Sequence, residues 1–259
     1  MSGGTVPIGP ALVVALTALT LAGAAVLRLT GLGRARTVLT AAARATVQLG
    51  AVSLIIVAVL RAWWSTTAFV LLMYAVAGFT ARRRIGAGAP ARVAPLAIAA
   101  GVVPSLAVLL ASRALPATPL VVLPTAGILI GGAMTATSLA GRRTLDELRT
   151  RHGEYEAGLA LGLLPRDAAL EICRPAAGQA LVPALDQTRT VGLVTLPGAF
   201  VGVLLGGAGP VRAGATQLLI LLTLLAVEAV AIAVAVELLV RDGPAPNPDR
   251  APCSGGAKG

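Results

Sequence analysis

The chain has 259 residues, 56% of them hydrophobic and only 12% charged, with a mean hydropathy of +0.86. Soluble domains carry about 25% charged residues, and long stretches here hold no charge with which to cover a core, so a water-soluble fold is not expected and the apolar residues face lipid. The formal charge of +10 does not signal a nucleic-acid partner, because the arginines fall between hydrophobic runs instead of gathering on one patch.

Crossing roughly 30 Å of hydrocarbon takes about 20 apolar residues in a helix. Seven runs approach that length: Pro7 to Leu27, Leu39 to Leu60, Trp64 to Ala81, Val93 to Ser112, Thr118 to Gly141, Thr190 to Ala208 and Gly214 to Val240. The expected fold is therefore all-α, a polytopic transmembrane bundle of about seven spans. No positive side chain precedes Arg28, so the first run reads as an uncleaved anchor, although Ala22-Gly23-Ala24 would suit signal-peptide cleavage. The second run carries Arg44 and Gln48 in its first turns, and Trp63 and Trp64 at the head of the third suit a membrane interface.

Small residues crowd the fifth and sixth runs: Gly127, Gly131, Gly132 and Ala133, then Gly192, Gly198, Gly202 and Gly206. Spacings of four let helix backbones approach closely, and Pro124 and Pro197 are expected to kink these spans. The pattern suits tight packing and also suits helices that rock between two arrangements. In the last run Glu228 sits near mid-span, where a charge costs about 2.5–3.5 kcal/mol on insertion scales. It lines a transport path or serves as an interhelical hydrogen-bonding group. Glu237, closer to the end, is expected to meet lipid headgroups or Arg241.

Lys and Arg between the runs set orientation, since positive loops stay on the cytoplasmic side. Of the 21 basic residues, all but Arg61, Arg113 and Arg212 fall in one alternate set of loops. That alternation requires an odd number of spans, with the N-terminus outside and the C-terminus inside a cell (inner) membrane. Residues 1–241 then form a transmembrane domain, and 242–259, rich in Pro and Gly, a disordered cytoplasmic tail. Cys173 and Cys253 fall on the cytoplasmic side, where no structural disulfide is expected.

One loop is long. Residues 142–189 are charged and helical in pattern, with Thr144 and Glu147 spaced as a capping box that would start a helix. Past Gly162, Pro165 and Asp167 mark a second helix start, and Ala168, Ala169, Leu170 and Ile172 give that helix an apolar side. The segment reads as helix, turn, short helix. Leu159, Leu161, Leu163 and Leu164 near the bend either present an apolar docking surface or pack back on the membrane domain.

Chemistry-bearing motifs are sparse. A P-loop needs a lysine beside a glycine cluster to reach the β and γ phosphates, and the only lysine is Lys258. This chain is thus not an ATPase, and any ATP dependence comes from a partner. His152 is the sole histidine, and neither HExxH nor CxxC occurs, so no metal-ligand set is assigned. A transient metal route over oxygen ligands and Met134 stays open.

Glu156-Ala157-Gly158, with Gly162 and Pro175 following, is similar to the EAA loop of ABC-transporter permeases. The string Val182-Pro183-Ala184-Leu185-Asp186-Gln187-Thr188-Arg189-Thr190-Val191-Gly192-Leu193-Val194-Thr195-Leu196-Pro197-Gly198 resembles the signature of the FetB-type permease family. Agreement continues in Arg44 to Leu49, in Leu123 to Met134, and through Gly207, Pro210, Ala213 and Gln217. The resemblance implies a membrane subunit, working as a homodimer in lipid with a separate cytoplasmic ABC ATPase, associated with iron export; plant relatives are linked to aluminium tolerance. ATP and Mg would sit on that partner, with no cofactor in this chain.

Carried over, Glu156, Ala157, Gly158, Gly162, Leu163 and Pro165 would form the elbow that couples to the ATPase. Met134, Thr135, Asp186, Arg189, Thr195 and Pro197, together with Glu228, would line the translocation path. Two departures bear on substrate: Gly132 stands where the family pattern has Asn, and Glu228 lies outside that pattern. Competing readings are a proton-coupled secondary transporter using Glu228 and a non-transporting scaffold docking through 142–189.

Overall fold

In lipid, each backbone N–H and C=O must be satisfied within its own segment, so uninterrupted apolar runs fold as long helices. A computed structural model describes residues 9–86 and 88–241, and no β-strand occurs among them. Six helices are long and apolar enough to cross a membrane: α1 (Pro10–Thr30), α2 (Ala35–Val59), α3 (Trp63–Ile85), α4 (Val93–Ala111), α5 (Pro119–Thr150) and, last in the chain, α10 (Pro210–Arg241). Between α5 and α10 lie four shorter helices: α6 (His152–Ala160), α7 (Pro165–Gly178), α8 (Val182–Thr190) and α9 (Gly198–Leu205). The expected disordered tail, 242–259, lies outside the described residues.

The chain divides into two compact units, residues 1–62 and 63–259. The first contains α1 and α2, which pack as a helical pair. Pro10 opens α1 at its first turn, and Gly31, at φ 68°, closes it in the left-handed conformation. Most of their side chains, including Val13, Leu19, Val47 and Leu54, are exposed, as helices bathed in lipid require.

The second unit has its core between α3, α4, α5 and α10. Ile98 of α4, Leu129 of α5 and Val227 of α10 are fully or almost fully buried in one cluster. Glycines set the helix spacing. A Cβ on Gly101 would fall 2.5 Å from the Val227 carbonyl oxygen, and one on Gly141 would meet Ile85 at 2.8 Å. Tight packing is therefore what the small residues of α5 do at Gly127, where Met73 would be met at 2.8 Å, and at Gly141. By contrast, Gly198 and Gly202 of α9 have nothing within 4 Å of a built Cβ.

The helices α5 and α10 run in the same direction. Gly132 lies against Leu224 and Glu228, while Ala136, Ala140 and Leu148 share a cluster with Ile232, Val236 and Val240. The chain between them must therefore return along their length. It does so without a span-length helix, which corrects the expectation for Thr190 to Ala208. After Thr190 the backbone turns at Gly192 (φ 83°), is extended at Pro197, and resumes only as α9, eight residues long. Eight residues rise about 12 Å, well short of the hydrocarbon. Pro197, expected to kink a helix, instead caps the start of a new one, because the left-handed Gly192 turns the backbone out of the helix and Pro197, five residues on, has no N–H to rejoin the ladder.

A second correction concerns Thr144. It starts no helix; it lies fully buried inside α5, which runs on to Thr150, and its hydroxyl has no hydrogen-bond partner among the described residues. No glycine or proline lies between Gly141 and Thr150 to stop the span, so a capping-box spacing falls by chance within one uninterrupted helix. At 32 residues α5 is about 48 Å long and so projects beyond the hydrocarbon.

Candidate functional site

The helical elbow follows α5 directly. Here α6 ends in a left-handed glycine: Gly162 has φ 91°, its N–H donates to the Leu159 carbonyl at 3.0 Å, and the Leu163 N–H donates to the Gly158 carbonyl at 3.0 Å. That bond pair is a Schellman closure, which favours glycine because other residues are strained there. Leu164 is extended, Pro165 occupies the first turn of α7, and Asp167 places a carboxylate in that turn. Gly158 serves a different purpose. A Cβ there would lie 3.2 Å from the Ala168 Cβ and 3.4 Å from Leu163 Cδ1, so its bare backbone lets α6 and α7 close into a tight bend.

The four leucines do not pack back. Leu159, Leu161, Leu163 and Leu164 are all exposed, Leu161 at 86%, and α6 has no buried residue. The polar face of α6 is held locally: Glu156 pairs with His152 at 3.1 Å, and Arg151 Nε donates to Glu154 at 2.8 Å. That hydrogen bond holds the Glu154 carboxyl below the usual carboxylate range. Ala157 lies on the same short helix.

The amphipathic helix α7 is anchored to the membrane bundle. Ala169, Leu170, Cys173 and Ala177 pack with Ala140 and Leu148 of α5 and Val236 and Val240 of α10. Arg166 grips Glu237 of α10 through two bonds, Nε to Oε1 at 2.7 Å and Nη2 to Oε2 at 2.9 Å. Arg241 also donates to Glu237 at 2.7 Å, so the expected Arg241 pairing is present. The Arg166 tie was not legible, since the partners lie 71 positions apart and no local spacing signals such a pair.

Cys173 is fully buried, 3.7 Å from the Thr144 carbonyl oxygen. Burial, with Glu147 adding to it, pushes its thiol up to about 11. In a Cys253→Ser protein, maleimide labelling of Cys173 at neutral pH should run about 100-fold slower than for a free thiol, rising as pH approaches that value. Complete labelling of the folded protein within minutes would contradict this burial.

The second candidate region lies in the bundle. Glu228 of α10 is only 9% exposed and has no hydrogen bond or ion pair among the described residues. Its Oε1 stands 2.7 Å from where a Cβ on Gly132 would be, and Leu224 Cδ1 stands 2.4 Å from it. The carboxyl thus occupies space that exists because α5 carries glycine at that point. The interhelical hydrogen bond allowed for Glu228 is not made among these residues.

The other path residues are dispersed. Met134 packs against the main core, and Thr135 is exposed with its hydroxyl turned back on the Gly131 carbonyl at 3.1 Å. Asp186 and Arg189 sit on α8, 3.8 Å apart and exposed. Thr195 accepts from the Gly192 N–H at 2.9 Å within the turn ahead of α9, and Pro197 ends that turn. No hydrogen bond or ion pair links these residues to Glu228, and no three His, Cys, Asp or Glu side chains converge as a metal site among the described residues.

Span-length apolar helices packed around a common core define a multi-pass helical membrane protein. The chain belongs to the uncharacterised protein family UPF0014, whose model matches residues 10–242. It is 35% identical over 194 residues to the UPF0014 membrane protein STAR2 of Oryza sativa subsp. japonica, covering 73% of this chain and 68% of that one. It is 37% identical over 159 residues to the protein ALUMINUM SENSITIVE 3 of Arabidopsis thaliana, covering 61% and 58%. With the probable iron export permease protein FetB of Escherichia coli (strain K12) it shares 32% over 146 residues, 56% of each chain. The aligned segments span between about half and two thirds of these relatives. No solved structure matches.

Proposed function

We propose that this chain is the membrane-spanning permease subunit of an ABC transporter, acting as a homodimer with a separate cytoplasmic ATPase to export a metal cation of the iron class. The observation that carries this reading is the elbow: a glycine-closed bend between α6 and α7, presenting Leu161 and Leu164 outward, on a helix tied to both α5 and α10. An ATPase docked on that bend pushes directly on two spans. Closure of the ATPase pair on ATP then biases the bundle between two arrangements through its differential affinity for them. The loop charges support an orientation that places the elbow in the cytoplasm. The name of the Escherichia coli relative, a probable iron export permease, supports the cargo class, and ATP with Mg belongs to the partner.

Co-expression with a P-loop ATPase encoded beside this gene tests the assignment. The expected result is a complex that survives purification, and a Leu161→Asp, Leu164→Asp variant that loses the ATPase while keeping its own gel-filtration profile. An ATPase that never co-purifies, or one held equally by the double variant, argues against it.

The buried carboxyl of Glu228 favours a second reading, a proton-coupled carrier. The two differ in one measurement: collapse of the proton gradient stops export in the second and leaves it intact in the first.

A further inference from the structure

Beside the elbow, α7 and the 3-10 turn that follows it (Gln179–Leu181) face α10 across a groove of about 330 Å3. Its walls are apolar, with Leu170 and Leu181 on one side and Ile232 and Val236 on the other, while Arg174 and Glu237 stand on its lining. We propose that this groove binds an anionic phospholipid, with an acyl chain between the helices and the phosphate on Arg174.

Position argues for a lipid. The groove lies at the end of α10 where its apolar run gives way to Arg241, and its other wall is an amphipathic helix laid across that end. An apolar cleft there opens to the boundary between hydrocarbon and headgroups, where an acyl chain is the abundant occupant.

Charge argues for an anionic one. Both oxygens of Glu237 are taken by Arg166, and Arg241 adds a third bond, so that carboxylate is already matched. Arg166 also meets Asp167 at 3.1 Å. Arg174 is exposed and has no ion-pair partner among the described residues; Glu171, one turn away on α7, is exposed and does not line the groove. A guanidinium with free donors at the rim matches a phosphate, which it binds bidentately.

The full chain, purified in detergent and offered equal amounts of dioleoylphosphatidylglycerol and dioleoylphosphatidylcholine, is read by native mass spectrometry. The expected result is about tenfold more retained phosphatidylglycerol than phosphatidylcholine. Arg174→Gln brings the ratio close to one, and Arg174→Lys keeps most of it. Ala233→Trp, which fills the groove from α10, lowers retention of both lipids. Equal retention of the two lipids by the native protein, or an undiminished preference in Arg174→Gln, overturns the proposal. So does an Ala233→Trp protein that holds lipid normally but loses a homodimer present in the native protein, since a second copy then covers the groove.

Discussion

On the proposed permease reading, replacing Gly162 by alanine or valine is expected to leave the protein in the membrane and to cut substrate-dependent stimulation of the partner ATPase at least tenfold. At φ 91° any side chain is strained whatever space surrounds it, and nothing lies within 4 Å to clash with. The penalty is therefore one of backbone conformation, about 1–2 kcal/mol for an ordinary residue in the left-handed region and more for a β-branched one. That is small against the burial holding α3, α4, α5 and α10 together, but large for a short helix with no buried residue of its own. The bend is the element that yields.

Gly158 gives a contrasting series. Its missing Cβ faces the Ala168 Cβ, which belongs to a helix packed on the bundle and cannot rotate away. Alanine needs a shift of a few tenths of an ångström, whereas leucine forces α6 and α7 apart at a cost of about 1–3 kcal/mol. At position 162 alanine should already be damaging, because the strain lies in the backbone, with valine worse for its β-branching; at 158 damage should grow with side-chain size. ATPase stimulation measured on the purified complex separates the two patterns. Normal stimulation in Gly162→Val would remove the elbow from the coupling path.

Much of this architecture was legible because lipid simplifies the problem: apolar length alone marks a span, and five of the seven expected runs coincide with α1 to α5 while the last coincides with α10. The bend at Gly162 was legible for a local reason, a glycine followed by proline at a fixed offset. What escaped was long-range or ambiguous. The run from Thr190 to Ala208 has the hydropathy of a span, yet Leu193 is 91% exposed on a turn, because Gly192 and Pro197 break the ladder and composition does not weigh that break. Thr144 and Glu147 repeat a cap spacing that any continuous helix can contain. Nor could the sequence show that Gly132 and Glu228, 96 positions apart, share one site.

That pairing sets the sharpest expectation. Glu228→Leu should raise the thermal stability of the protein, because a buried carboxyl without a partner among the described residues weakens the bundle, and on the proposed transport reading it should abolish export. A carboxyl serving only to join helices predicts the opposite sign for stability. Glu228→Gln, nearly the same in shape, should fold normally and lower metal efflux from cells at least tenfold. Gly132→Ala presses on the ends of Leu224 and Glu228, which can swing aside, so it should fold but move the carboxyl and reduce efflux by a smaller factor. If both changes act through one carboxyl, Gly132→Ala should cost nothing further on a Glu228→Gln background. Multiplicative losses in the double variant would place the two residues in separate roles, and wild-type efflux from Glu228→Gln would take this carboxyl out of the path.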